Sequence, residues 1–151
     1  MNKIEIWVDG GARGNGKENN IGGYGVFLKY KDHEKELYEG YRNVTNNQME
    51  MRAAIEGMKA LKKTDIPVVI YTDSAYVCNC INQGWYKKWL SNGWLTSAKK
   101  PVENRELWIE MLDLFEKFPF ISFVKVKGHS GNIGNERADY LVNKAMDMMT
   151  L

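Results

Sequence analysis

Cysteine and histidine are scarce in this 151-residue chain, with two of each. Cys78 and Cys80 stand two residues apart on a segment that reads as helix. Side chains at i and i+2 do not face each other there, so no disulfide is expected and a reducing compartment fits. No apolar run approaches the length that crosses a membrane, which argues against a membrane partner. The opening MNKIEIWVDG reads as a strand rather than a charged-then-apolar targeting signal, so the expected address is the cytoplasm. Internal repeats, linkers and low-complexity tracts are also absent. The formal net charge of +2 is too small to name a partner by itself.

The distribution of charge says more than its sum. Between Gly84 and Arg105 five basic residues (Lys87, Lys88, Lys99, Lys100, Arg105) face one acid, Glu103, a local charge of +4. The remainder of the chain is therefore slightly acidic, as expected when acids gather at a metal and bases are set apart to hold a polyanion. With 44% apolar residues, the length suits one compact domain over residues 1–151 with a real core.

Ile4, Ile6 and Val8 alternate with Glu5, Trp7 and Asp9, which predicts a strand ending at Asp9 before a glycine-rich polar stretch from Gly10 to Gly23. Tyr24 to Tyr30 and Lys35 to Tyr41 read as two strands of a hairpin turned by Lys31-Asp32-His33-Glu34. From Gln48 the period changes. Met51, Ala54, Ile55, Met58 and Leu61 form the stripe of an amphipathic helix, with Asn46-Asn47 at its start and Glu50 in its first turn. The nearly continuous apolar run Ile66 to Thr72 predicts a strand covered on both faces of a parallel sheet, followed by a helix begun at Asp73-Ser74. A tryptophan-rich basic segment, a helix from about Val102 to Lys117, a strand Ile121 to Lys127 and a helix from about Asn135 to Met148 complete the order βββαβααβα. An α/β fold follows, a mixed sheet flanked by helices.

Four carboxylates stand out in that frame: Asp9 and Asp73 at the ends of apolar strands, Glu50 early in a helix, and Asp139 on the last helix. The C-terminal ends of parallel strands lie on one edge, where ligand sites are expected. Like charges gathered there would raise one another's pKa, and a divalent cation relieves the repulsion. A set of hard oxygen donors without thiol or imidazole selects Mg²⁺ or Mn²⁺ over zinc. Each residue also has a structural reading. Asp73 can be an N-cap, Asn47 and Glu50 can form a capping box, Asp9 can belong to a turn, and Asp139 can be a solvated helix edge. Trp85, Tyr86, Trp89 and Trp94, interleaved with the lysines, suit either backbone contact with stacking on nucleic acid or packing at helical spacing, notably Trp85 against Trp89.

The segments Val8-Asp9-Gly10-Gly11-Ala12-Arg13-Gly14-Asn15-Gly16, Thr45-Asn46-Asn47-Gln48-Met49-Glu50, Thr72-Asp73-Ser74, Val126-Lys127-Gly128-His129 and Asn135-Glu136-Arg137-Ala138-Asp139 occur in that order. Together they resemble the successive signature blocks of type 1 ribonuclease H, in particular bacterial members with a basic protrusion. The resemblance spans essentially the whole chain. It implies a ribonuclease H-like fold with a five-stranded mixed sheet, three antiparallel strands then two parallel ones, in which the strands of Asp9 and Asp73 are adjacent and parallel. It also implies that Asp9, Glu50, Asp73 and Asp139 bind two Mg²⁺ ions, with Mn²⁺ a possible substitute, and that a monomer cuts the RNA strand of RNA/DNA hybrids to leave 5′-phosphate and 3′-hydroxyl ends.

By the same resemblance His129 assists proton transfer or product release, and a near-neutral pKa suits that task. Asn15, Asn46 and Asn47 read the 2′-hydroxyl that distinguishes RNA from DNA. Lys87, Lys88, Lys99 and Lys100 contact phosphates, Trp85 meets the DNA strand, and Thr45 and Asn104 match two positions of a DNA-phosphate pocket. The chain departs from the family pattern at Asn43, where an arginine commonly stands, and in the proline-free loop Gly16 to Ile21. Two rivals remain: another nuclease on the same fold, and a hybrid-binding module without catalysis, which need not keep all four carboxylates.

Overall fold

A computed structural model describes residues 2–14, 17–127 and 132–150. Strand β1 (Ile4–Arg13) lies at the centre of the sheet, and the alternation seen in sequence sets its faces: Ile4, Ile6 and Val8 are buried against helix α1 (Asn46–Lys59). Strands β2 (Ile21–Tyr30) and β3 (His33–Arg42) add antiparallel on one side of β1, whereas β4 (Val68–Thr72) and β5 (Ile121–Lys125) add parallel on the other. The sheet order is β3-β2-β1-β4-β5. This is the expected five-stranded mixed sheet.

Between β4 and β5 the chain forms α2 (Ala75–Asn82), α3 (Trp85–Asn92) and α4 (Arg105–Phe115), and α5 (Ile133–Met148) follows β5. Helix α4 packs on α1, and α5 packs on β1, β2 and β3. Trp108 of α4 is wholly buried with Met51, Ile55 and Met58 of α1 and Val68 and Ile70 of β4 in the main core.

Several expectations are corrected. The basic tryptophan-rich segment, given no element of its own in the expected order, contains a further helix: Trp85 to Asn92 is helical, bounded by Gly84 and Gly93 in the left-handed region at φ 71° and 78°, so the order is βββαβαααβα. Such φ values suit glycine, which has no Cβ to clash. The hairpin turn is Lys31-Asp32 alone, with Tyr30 paired to His33. Helix α4 is shorter than expected at both ends, α5 starts two residues earlier, β4 starts at Val68, and β5 stops at Lys125.

The largest correction concerns β1. It does not end at Asp9 but continues to Arg13, paired with β2 from Asp9↔Gly25 to Arg13↔Ile21. Its glycines read as turn residues because turns and close backbone contacts both demand the absence of a side chain. The contacts are the reason here. A Cβ on Gly10 would lie 2.3 Å from the Met49 carbonyl carbon, and one on Gly25 would lie 2.4 Å from the Ala138 carbonyl oxygen.

Candidate active site

Parallel pairing of β1 with β4 ends at Val8↔Thr72, so Asp9 and Asp73 are the next residues out on neighbouring strands. Gly10 admits the α1 backbone at Met49 and Glu50, which carries the Glu50 carboxylate to the same point. One oxygen each from Asp9, Glu50 and Asp73 lies within 4.8 Å of the others. Gly25, opposite Asp9 in the ladder, admits α5 at Ala138, and Asp139 follows directly. Asp139 stands outside the close group of three but near enough for its charge to act on Asp9.

The local structural roles fall to other residues. The capping box of α1 is formed by Thr45 and Gln48, whose side chains each accept the other's backbone N–H at 3.1 and 2.9 Å. Glu50 therefore lies in the second turn, not the first, and takes no part in the cap. Ser74 caps α2 by accepting the Val77 N–H at 3.1 Å, which leaves Asp73 out of that role. Asp9 lies within a ladder rather than in a turn, with one carboxylate oxygen accepting the Gly10 N–H at 2.9 Å.

Burial makes this group costly when empty. Asp9 is 6% exposed and Glu50 9%. Loss of hydration pushes the Asp9 carboxyl up to about 8, reinforced by the charges of Asp73 and then Asp139. Burial likewise holds Glu50 well above the usual carboxylate range, with Asp9 and Asp73 adding to it. The two carboxyls share a hydrogen bond, yet Glu50 Oε2 is buried without a partner among the described residues. A buried acceptor left unpaired is rare because it forfeits hydration without return. A divalent cation fits these residues: it would engage the orphaned oxygen, and the donors are all hard oxygen.

The basic segment presents a different surface. Lys87, Lys88, Lys99 and Lys100 are all exposed, the first two on α3 and the others in the turn that returns to α4. Trp89 packs against Trp94 and Trp108 at centroid distances of 6.0 and 5.7 Å, whereas Trp85 is 37% exposed, its indole N–H bonded to Gln83 Oε1. Of the two alternatives for these tryptophans, packing of Trp85 against Trp89 gives way to Trp89 facing inward and Trp85 facing out. Of the remaining candidates, Thr45 caps α1, Asn46 Oδ1 accepts the Ala12 N–H at 2.7 Å, and Asn47 is exposed beside them. Asn104 occupies the N-cap position of α4 in the left-handed region, without a side-chain cap bond. Asn43 is turned toward the loop before β2, accepting the Asn19 N–H at 2.7 Å. Asn15 and His129 lie outside the described residues.

A family model described as RNase H matches residues 1–147. The chain belongs to the ribonuclease H family. It is 48% identical over 147 residues to a ribonuclease H of Clostridium botulinum, covering 97% of each chain, and 46% identical over 150 residues to that of Ruthia magnifica, covering 99% of each. Among solved structures it is similar to LC9-RNase H1, a type 1 RNase H with the type 2 active-site motif, at TM-score 0.84 and 28% identity over 98% of this chain and 74% of that one. It is also similar to LC11-RNase H1 in complex with RNA/DNA hybrid, at TM-score 0.72 and 30% identity over 99% and 100% of the two chains. The protein is thus a type 1 ribonuclease H by sequence and by fold, and an enzyme of that class.

For a ribonuclease H of this sequence the positioning residues were the ones sequence reasoning missed. Gly10 and Gly25 admit the two helices that carry Glu50 and Asp139. Asn20, 8% exposed, bonds Val44 twice, through Nδ2 to its carbonyl at 2.7 Å and through Oδ1 to its N–H at 3.1 Å, and so ties β2 to the approach of α1. The glycine clusters Gly10-Gly11 and Gly22-Gly23-Tyr24-Gly25 beside apolar runs were the available signal.

Proposed function

We propose that this ribonuclease H hydrolyses the RNA strand of RNA/DNA hybrids within a single catalytic domain spanning residues 1–151, as a cytoplasmic monomer. The observation that carries the reading is the trio Asp9, Glu50 and Asp73, the first two buried and the third half-buried, with a Glu50 oxygen unpaired among the described residues, a group suited to binding cations. Similarity to an enzyme held in complex with an RNA/DNA hybrid supports the substrate class.

Asp9, Glu50, Asp73 and Asp139 would hold two Mg²⁺ ions, with Mn²⁺ as a substitute. When bound, the pair supplies activation of a water on one side of the phosphodiester and stabilisation of the leaving 3′ oxygen on the other, which gives 5′-phosphate and 3′-hydroxyl ends. The chain's own residues supply the rest. The carboxylates would fix where the ions sit, and His129 assists proton movement or product release. Asn15, Asn46 and Asn47 sense the 2′-hydroxyl, which only the RNA strand offers. Lys87, Lys88, Lys99 and Lys100 hold the phosphates of the partner strand, with Trp85 laid against it, and Thr45 and Asn104 take a DNA phosphate at the start of α1 and α4.

The decisive assay presents one sequence as RNA/DNA hybrid, duplex RNA, duplex DNA and single strands in Mg²⁺, with Asp73→Asn beside the parent. Internal cutting is expected only in the RNA of the hybrid. The variant should retain hybrid binding and lose roughly 100-fold or more in cleavage, because a metal ligand weakens with little change in volume. Turnover near the parent's in Asp73→Asn would remove Asp73 from the site. Binding without cutting would make the chain a recognition module, and cutting of DNA would assign it to another nuclease branch.

A further inference from the structure

We propose that Arg13 is a contact to a phosphate of the RNA strand, an inference that rests on the ribonuclease H reading. Arg13 ends β1 on the face that carries Asp9, four residues or about 13 Å further along the strand. It lies above the stripe Asp139, Asn143, Asp147 of α5, whose members recur at i, i+4 and i+8. Its Nη2 meets Asp147 Oδ1 at 2.8 Å and Asn143 Oδ1 at 3.4 Å, and Asn143 Nδ2 in turn donates to the Asp139 carbonyl at 3.0 Å. One nitrogen thus takes both contacts. Nε and Nη1 have no partner among the described residues, so one edge of the guanidinium is held while the other remains available.

That arrangement suits a phosphate clamp. A guanidinium presents paired N–H donors at a spacing that matches two phosphate oxygens, and anchoring one nitrogen reduces the ordering cost of using the others. The Arg13 and Asp147 side chains are 45% and 68% exposed, so solvent screens their attraction and the pair orients the arginine more than it neutralises it. In sequence Arg13 stands between Asp9 and Asn15, and under the ribonuclease H reading Asn15 senses the 2′-hydroxyl, which favours the RNA strand over its partner. The competing reading is a surface ion pair that only staples β1 to α5.

Hybrid binding at several salt concentrations separates the two, measured on Asp73→Asn so that substrate survives. Adding Arg13→Gln should weaken binding several-fold and reduce the slope of log K against log[salt] by about 0.7–0.9, the release expected for one phosphate contact. Arg13→Lys should restore the slope while recovering only part of the affinity, since the fork is lost. Asp147→Asn should leave the slope intact and hold or strengthen binding. Hybrids carrying a single methylphosphonate should show one RNA-strand position whose neutralisation costs the parent this same loss and costs Arg13→Gln nothing further. An unchanged slope in Arg13→Gln, an equal loss in Asp147→Asn, or a coupled position on the DNA strand would overturn the assignment. Failure of the Arg13-containing protein to bind hybrid at all would overturn the ribonuclease H reading and the contact with it.

Discussion

Gly10→Ala is the substitution in which fold and site are tested together. The glycine has ordinary extended backbone, so alanine meets no conformational barrier of its own; the obstacle is the neighbouring helix. The new Cβ would lie 2.3 Å from the Met49 carbonyl carbon, 2.4 Å from the Glu50 nitrogen and 2.6 Å from the Met49 oxygen. Carbon atoms pack best at about 3.5–4.0 Å, so α1 must retreat by roughly 1 Å or more. The atoms in the way are backbone, held by the Thr45–Gln48 capping box and the Asn46–Ala12 bond, and cannot rotate aside. Overpacking of this kind costs about 2–3 kcal/mol, or roughly 5–10 °C in Tm for a chain of this size.

The same retreat carries Glu50 away from Asp9 and Asp73, and a misplacement of about 1 Å in a catalytic group can cost roughly 100-fold in rate. Gly11→Ala is the matched control for stability. Its Cβ would meet Val142 Cγ1 at 3.5 Å, an ordinary contact. Thermal and urea denaturation should place it within about 0.5 kcal/mol of the parent or slightly above, since alanine restricts the unfolded chain. Denaturation in EDTA, Mg²⁺ titration and hybrid cleavage on both variants complete the test. If Gly10→Ala melts with the parent and cuts at full rate, the close approach of α1 does not position Glu50. If Gly11→Ala falls as far as Gly10→Ala, the cost belongs to losing any strand glycine there.

Two further outcomes follow from the site and its flank. The folded protein holds Asp9 and Glu50 protonated over a range where the unfolded chain releases those protons, so the metal-free protein should lose stability as pH rises from about 4 toward 8. Melting curves in EDTA should show this decline, Glu50→Gln should reduce it, and saturating Mg²⁺ should flatten it; a pH-independent Tm in EDTA would contradict the charge burden assigned to the trio. Trp85→Ala should weaken hybrid binding by about 1–3 kcal/mol at unchanged Tm, whereas Trp89→Ala should lower stability by about 3 kcal/mol or more through the Trp94 and Trp108 contacts. Equal effects of the two variants in both assays would erase the distinction between an outward and an inward tryptophan.

Legibility followed the kind of signal each element carries. The apolar run before Asp73 and the alternation before Asp9 identify buried strands because sheet periodicity is local, whereas their parallel adjacency is a long-range pairing that only the family resemblance implied. The extension of β1 to Arg13 was hidden because Gly10 is needed for a contact with α1, and Gly25, on the neighbouring strand β2, for one with α5, partners distant in sequence. Helix α3 was hidden for a related reason. Its aromatic and basic residues suit surface contact and helical packing alike until Trp94 and Trp108 supply the cluster that Trp89 joins. Caps were ambiguous at the level of one residue: Thr45 and Asn47, or Asp73 and Ser74, offer equally good chemistry, and the N–H groups of Gln48 and Val77 decide between them.

That ambiguity has a functional side. Had Asp73 and Glu50 been the capping residues, their oxygens would be occupied by backbone N–H groups and held low in pKa, poor conditions for sharing a cation. With the caps made by Thr45, Gln48 and Ser74, the carboxylates remain aimed at one another: Asp9 and Glu50 share a hydrogen bond, the charge of Asp73 presses on both, and Glu50 Oε2 is left unpaired among the described residues. The core of Trp108, Met51, Ile55, Ile70 and their neighbours lies on the face of the sheet covered by α1 and α4, and its packing involves no site carboxylate. The fold can therefore form against the repulsion and present the trio already gathered. A bound cation would relieve that repulsion, and the close approach of α1 at Gly10 and of α5 at Gly25 is what carries Glu50 and Asp139 toward Asp9.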